Sequence, residues 1–150
     1  MENLKVKLIT TEFSAEEILP EYKTGGSAGM DLKAAIGEPW VIKPGETRLV
    51  PTGFAIAIGR KDVVGLVYAR SGLASKHGIA LANGVGVIDS DYRGQLFCPL
   101  INLGRQDFLL NPLERMAQLV LAPVHIPQIE IVEDLDETER GSGGFGHTGR

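Results

Sequence analysis

Two carboxylates, an aromatic ring and an arginine crowd into GVGVIDSDYRGQ, residues 84–95. An apolar run ends at Asp89, and Asp91, Tyr92 and Arg93 follow before the chain turns at Gly94. The segment reads as a strand ending in a turn, and it raises the question whether one of its carboxylates is placed to do chemistry. Turns are also rich in Asp and Gly for conformational reasons alone, so neither acid declares a role by itself.

Other segments carry chemistry of the same ambiguous kind. In SAGMDLKAA, residues 27–35, Gly29 and Asp31 stand between a glycine-rich loop and an apolar strand. The lysine and spacing of a Walker loop are missing, and Asp31 alone reads as a turn residue. YARSGLASKHG, residues 68–78, sets Arg70 and Ser71 at the start of a short helix that Gly78 closes. Ser71 is a natural N-cap there, while the same start turns amides and a guanidinium toward one spot suited to an anion. PLERMAQLV, residues 112–120, adds Gln118 and Arg115, the latter reading as a paired surface cation on a strand.

The final segment, GSGGFGHTGR, has five glycines and one aromatic ring, after the acidic stretch VEDLDETER. Such a segment buries too little to order itself. It reads as a solvated tail or as an arm that folds onto a ligand, with Phe145 stacking and glycine amides free for phosphate oxygens. His77, His125 and His147 lack metal-ligand spacing with one another or with Cys98, so no structural zinc is expected. No Ser/His/Asp arrangement is signalled.

The elements that must hold these residues are strands. The chain has 150 residues, 19 of them glycine and 8 proline, with short apolar runs between turn residues. VKLIT, RLVPTGFAIAI, VVGLVYA, IALAN, VGVID, QLFCPLIN, DFLLN, QLVLAPV and QIEIV are each strand-length, and only SGLASKH looks helical. This predicts an all-β sandwich or jelly roll in one domain. IKPGETRLVPTG at 42–53 echoes LNPLERMAQLVLAP at 110–123, each placing Pro then Glu at a turn before an apolar strand. Hydrophobic residues make up 43% of the chain, enough for a core without metal or disulfide staples. Cys98, the only cysteine, sits in LFCPL and packs as a small hydrophobe. The N-terminal MENLKVKLITTEF is neither a secretory nor a spanning segment, so a cytoplasmic protein off the membrane is expected. A net charge of −4 without a basic cluster argues against long nucleic acid but leaves a single nucleotide open.

Taken in order, SAGMDL, ARSGLASKHGI, NGVGVIDSDYRG, ERMAQLV and RGSGGFGHTG closely resemble the motifs of the trimeric dUTPases, the deoxyuridine 5′-triphosphate nucleotidohydrolases. The resemblance implies a β jelly roll of β-clip type, described as a barrel, that assembles as a homotrimer with active sites at subunit interfaces. Residues 1–134 would form that domain and residues 135–150 a glycine-rich arm that closes over a site. The implied reaction is hydrolysis of dUTP to dUMP and pyrophosphate, which limits uracil in DNA and supplies dUMP for dTTP synthesis.

By the same resemblance, Asp89 accepts a proton from a water attacking the α-phosphorus in line. Mg2+ is held mainly by the phosphates, with Asp31 reaching it through water. Arg70, Ser71, Gly72 and Gln118 resemble phosphate contacts. Arg140, Phe145, Gly146 and His147 match the arm, with Phe145 over uracil; many relatives carry serine where His147 stands. Base recognition falls to a hairpin running from Asn83 through Gly86 to Ile88, and Tyr92 packs beside the deoxyribose. Asp91 is then a turn residue.

Three alternatives differ in testable ways. A dCTP deaminase relative, including a bifunctional deaminase and dUTPase, would need a glutamate placed at the pyrimidine ring, and none lies in these motifs. A dUTP-sensing regulatory protein would bind without turnover. A purely structural jelly roll would need none of the clustered polar motifs.

Overall fold

The computed structural model describes residues 3–144, and their regular structure is mostly β. One sheet orders β1 (Lys5–Leu8), β4 (Thr47–Ala57), β8 (Gln95–Asn102) and β6 (Ile79–Leu81). The other orders β2 (Met30–Lys33), β10 (Arg115–Pro123), β5 (Val63–Ala69) and β7 (Gly86–Ile88). A small ribbon pairs β3 (Trp40–Ile42) with β9 (Phe108–Leu110), and two short helices, α1 (Ala15–Ile18) and α2 (Ser71–His77), fill connections.

The core is shared by the two sheets, with Phe54, Leu96 and Leu100 of one and Leu32, Met116 and Leu119 of the other in a single buried cluster. β8 shows why the pattern works: Leu96, Cys98, Leu100 and Asn102 alternate inward along QLFCPLIN. The result is the expected jelly-roll sandwich, although the sheets stay open and form no closed barrel. Burial pushes the Cys98 thiol up to about 12, so it is an inert packing group.

Two buried polar side chains fasten the sandwich. Thr52 donates its hydroxyl to the Leu96 carbonyl at 2.9 Å. The Asn102 amide donates to the carbonyls of Ile42 and Gln106, both at 2.8 Å, and its Oδ1 accepts from the Gly104 amide, which ties β8 to the ribbon.

The echo of Pro and Glu is turn chemistry with a structural consequence. Glu46 accepts the amide of Lys43 and Glu114 that of Asn111, each at 2.9 Å, so the two turns are built alike. They follow β3 and β9, which pair with each other, and launch β4 and β10 into different sheets. Gly45 takes φ 78° in one turn, and Leu113 takes φ 60° in the other, where a side chain costs energy.

Several expectations need correction. QIEIV forms no strand; Ile129 and Ile131 are 95% and 97% exposed, because this segment has no strand partner among the described residues. The helix α1 and the strand β3 went unforeseen, both being too short to show a period. The segment from Asn83 to Ile88 is not a hairpin: β6 pairs with β8 and β7 with β5, so the turn at Gly84 carries the chain from one sheet to the other. Ser71 is not an N-cap. Arg70 holds that position, and no side chain caps the helix.

Candidate active site

Strand register assembles the first half of the site. Gln118 on β10 lies opposite Asp31 on β2 and opposite Tyr68 on β5, so β10 brings together residues far apart in sequence. A register irregularity between Arg115 and Ala117 bends the start of β10, beside the point where Arg115 leaves it. Asp31 accepts from both sides: its Oδ1 pairs with Arg70 Nε and its Oδ2 with Arg115 Nη1, each at 3.0 Å. Arg70 Nη1 also donates to the Arg115 carbonyl at 3.0 Å, and Gln118 Nε2 to the Ala69 carbonyl at 3.0 Å.

These side chains line a hollow of ≈ 370 Å³, together with Ser71, Gly72 and Lys23. Gly29 leaves room there for the Gln118 side chain. A Cβ at that position would come within 2.7 Å of Gln118 Oε1, so any larger residue would push the amide aside. With the Ser71 hydroxyl not spent on capping, the hollow offers two guanidiniums, an amide and a hydroxyl to one anionic guest.

The second half surrounds Asp89. Val87, Ile88, Asp89, Tyr92 and Gln95 line a cleft of ≈ 190 Å³ beside Phe97. The Tyr92 amide donates to the Asp89 carbonyl at 3.1 Å, and Arg93 Nη1 donates to the carbonyls of Ser90 and Tyr92 at 2.8 Å, so Arg93 helps hold the turn. The Tyr92 hydroxyl donates to the Gln95 carbonyl at 3.0 Å. That ring lies across Gly94, whose missing Cβ would sit 2.6 Å from Tyr92 Cζ. Gly86 is similarly close: its Cβ would approach that of Val67 to 3.1 Å, so β7 lies tight on β5. Asp89 and Asp91 are both exposed.

The structure thus unites Asp31, Arg70, Ser71, Gly72 and Gln118, and separately unites Ile88, Asp89 and Tyr92, while Gly86 packs against Val67 and lines neither cavity. The two cavities share no lining residue within one chain. Asn83 is exposed in the turn at 81–84. Arg140 is exposed, with Nε donating to the Gly143 carbonyl at 2.7 Å, and Phe145, Gly146 and His147 lie outside the described residues. Arg115, Lys23 and Gly29 emerge only here as lining of the Asp31 hollow, and Gly94 as the space beneath the Tyr92 ring. Arg115 was visible three residues before Gln118 in the same segment, and its partner, Asp31, belonged to another.

Among the described residues no three His, Cys, Asp or Glu side chains gather as a metal cage. A lone carboxylate beside a phosphate-sized hollow still fits magnesium, which takes most of its ligands from phosphates and water. Also among the described residues, no helix is long and apolar enough to cross a membrane.

The dUTPase family model matches residues 15–149. The chain is similar to the deoxyuridine 5′-triphosphate nucleotidohydrolase of Herminiimonas arsenicoxydans, at 51% identity over 100% of this chain and 99% of that protein. It is equally similar to the enzyme of the same name from Paraburkholderia xenovorans, at 51% identity over 98% of this chain and 99% of that one. Among solved structures, it resembles the dUTPase of Staphylococcus bacteriophage 80alpha with dUpNHpp, with a TM-score of 0.84, 28% identity and 100% of both chains covered. A variant dUTPase from phage phi11 of S. aureus, described for its coordination of a structural Mg(II) ion, matches with a TM-score of 0.79 and 25% identity, covering 91% of this chain and 100% of that one. With the family model spanning nearly the whole chain and relatives half identical from end to end, the chain belongs to the dUTPase family.

Proposed function

We propose that this protein hydrolyses dUTP to dUMP and pyrophosphate, using Asp89 as general base. The Asp89 carboxylate takes a proton from a water whose oxygen bonds to the α-phosphorus; the bond from that phosphorus to the α–β bridging oxygen breaks, and pyrophosphate departs. A carboxylate is a weak base in water, so its fixed position at the end of β7 supplies much of its effect. Arg70, Ser71, Gly72 and Gln118 hold the phosphate chain, and Arg115 joins them from the same hollow. When bound, magnesium supplies charge neutralisation along the phosphates, with Asp31 the carboxylate available to hold its water shell.

The backbone from Asn83 to Ile88 reads the uracil edge. Cytosine would leave buried donors and acceptors unpaired, and the tight packing of Gly86 on Val67 gives the rigidity needed to refuse the thymine methyl. Tyr92, pinned at both ring and hydroxyl, stands beside the deoxyribose and leaves no room for a 2′-hydroxyl. The domain proposed for residues 1–134 has its last strand at Arg115–Pro123, and residues 124–134 lead from it toward the arm. Residues 135–150 act as the arm, with Arg140, Gly146 and His147 toward the phosphates and Phe145 over the base. We further propose a cytoplasmic homotrimer in which the Asp89 cleft of one subunit faces the Asp31 hollow of another. Two half-sites that share no residue within one chain support that arrangement, as do the unpartnered apolar residues Ile126, Ile129 and Ile131.

The observation that carries the reading is the strand register that places Asp31, Arg70 and Gln118 around one hollow. Pyrophosphate release with magnesium, measured on dUTP, dTTP, dCTP and UTP, tests it. Cleavage confined to dUTP, and lost in Asp89→Asn while binding persists, supports it. Binding of dUTP without pyrophosphate release by the native protein would overturn it.

A further inference from the structure

Asp31 is the one buried carboxylate among the described residues, with 8% of its surface exposed. Both of its oxygens are committed, one to Arg70 and one to Arg115. The two guanidiniums that face the hollow are therefore already neutralised in part by an anion belonging to the chain. Each guanidinium keeps N–H groups that Asp31 does not take, but a phosphate drawn to either arginine competes with the buried carboxylate for the same positive charge and weakens a charge-assisted pair, which costs more there than in water. The nearby cations do not relieve this. Lys23 on the rim is paired with Glu21, and Lys33 pairs with Glu21 while its Nζ donates to the Glu17 carbonyl.

We propose that Asp31 is a resident counter-ion that competes with the phosphate chain for Arg70 and Arg115. The site then binds a bare polyphosphate weakly and selects one that arrives with a divalent cation, because that cation meets the carboxylate the arginines release. The inference rests on the hollow being the phosphate site. It gives Asp31 a task separate from holding the metal: setting a charge threshold that excludes metal-free polyphosphates. Two guanidiniums cannot satisfy both Asp31 and several phosphate charges, whereas two guanidiniums and a dication can.

Calorimetric titration of the full-length protein with inorganic pyrophosphate, first in EDTA and then in magnesium, tests this. In EDTA, Asp31→Asn is expected to bind bare pyrophosphate about tenfold tighter than the native protein or better, the worth of one recovered charge-assisted hydrogen bond. Magnesium should add little to the variant and much to the native protein. Equal or weaker binding by Asp31→Asn in EDTA overturns the proposal. Arg70→Ala separates the two layers: if native binding in magnesium survives that change, the hollow is not the phosphate site and the functional reading itself falls. Should Asp31→Asn fail to fold, NMR of the Arg70 Nε–Hε pair in the native protein decides. A resonance that shifts with magnesium pyrophosphate and stays put with bare pyrophosphate supports the counter-ion; one that shifts equally with both overturns it.

Discussion

The Asp31 hollow and the Asp89 turn are built by opposite means. Around Asp31, pairing across β2, β10 and β5 fixes the backbone, and nearly every polar side chain already has a partner: carboxylate with two arginines, arginine with carbonyl, amide with carbonyl. Around Asp89 only the local turn is fixed, through Tyr92, Arg93 and the space left by Gly94, while both carboxylates face outward. The proposed phosphate contacts are thus preorganised inside one chain. The proposed base and sugar contacts, by contrast, are presented to whatever surface completes the cleft. A preorganised charge cluster gains by being rigid before the guest arrives, whereas a base needs access to water.

The largest effect should break the two regions apart functionally. Asp89→Asn is expected to lower turnover by about 10²–10⁴-fold, the usual worth of a general base, while leaving pyrophosphate affinity unchanged. Single-turnover pyrophosphate release beside calorimetry checks both halves, and a matching loss of affinity would show the regions are not independent. Next, Gly94→Ala should displace the Tyr92 ring and reduce the preference for dUTP over UTP by about 10–200-fold, the range set by a methyl-sized misfit. That change belongs to KM ratios, with pyrophosphate binding again untouched.

Gly29→Ala probes the other side. Its Cβ pushes on Gln118, so affinity for the phosphate chain should fall about tenfold, about one hydrogen bond, with no change in the dUTP to UTP ratio. The smallest effect sharpens the role of Ser71. Because it caps nothing, Ser71→Ala should alter stability by less than about 0.5 kcal/mol in a denaturant titration, where loss of a true N-cap costs about 1 kcal/mol. Its turnover should fall all the same.

Much of the fold was readable in the chain. QLFCPLIN coincides with β8 because inward and outward residues alternate within the segment itself, and Gly78 ends α2 at φ 71° as its position implied. The same local logic misled where pairing decides: QIEIV alternates well and yet forms no strand, and the residues around Gly84 look like a hairpin while β6 and β7 enter different sheets. Of the site, the chemical types were legible but the partnerships were not. Arg115 reads as a surface cation until its side chain is seen to reach Asp31, 84 residues away. Gly29 and Gly94 read as loop glycines until the side chains that need their space are seen.

The sequence by itself determined the repertoire: most of the strands, many of the turns, and which acids, cations and rings the motifs contain. Alternation and turn chemistry act over a few residues, so a linear reading captures them. Only the tertiary structure decided that Asp31, Arg70, Arg115 and Gln118 share one hollow while Asp89 and Tyr92 line another. Strand order and register settle that, and they follow from packing two whole sheets onto one core, a choice no short segment can make alone.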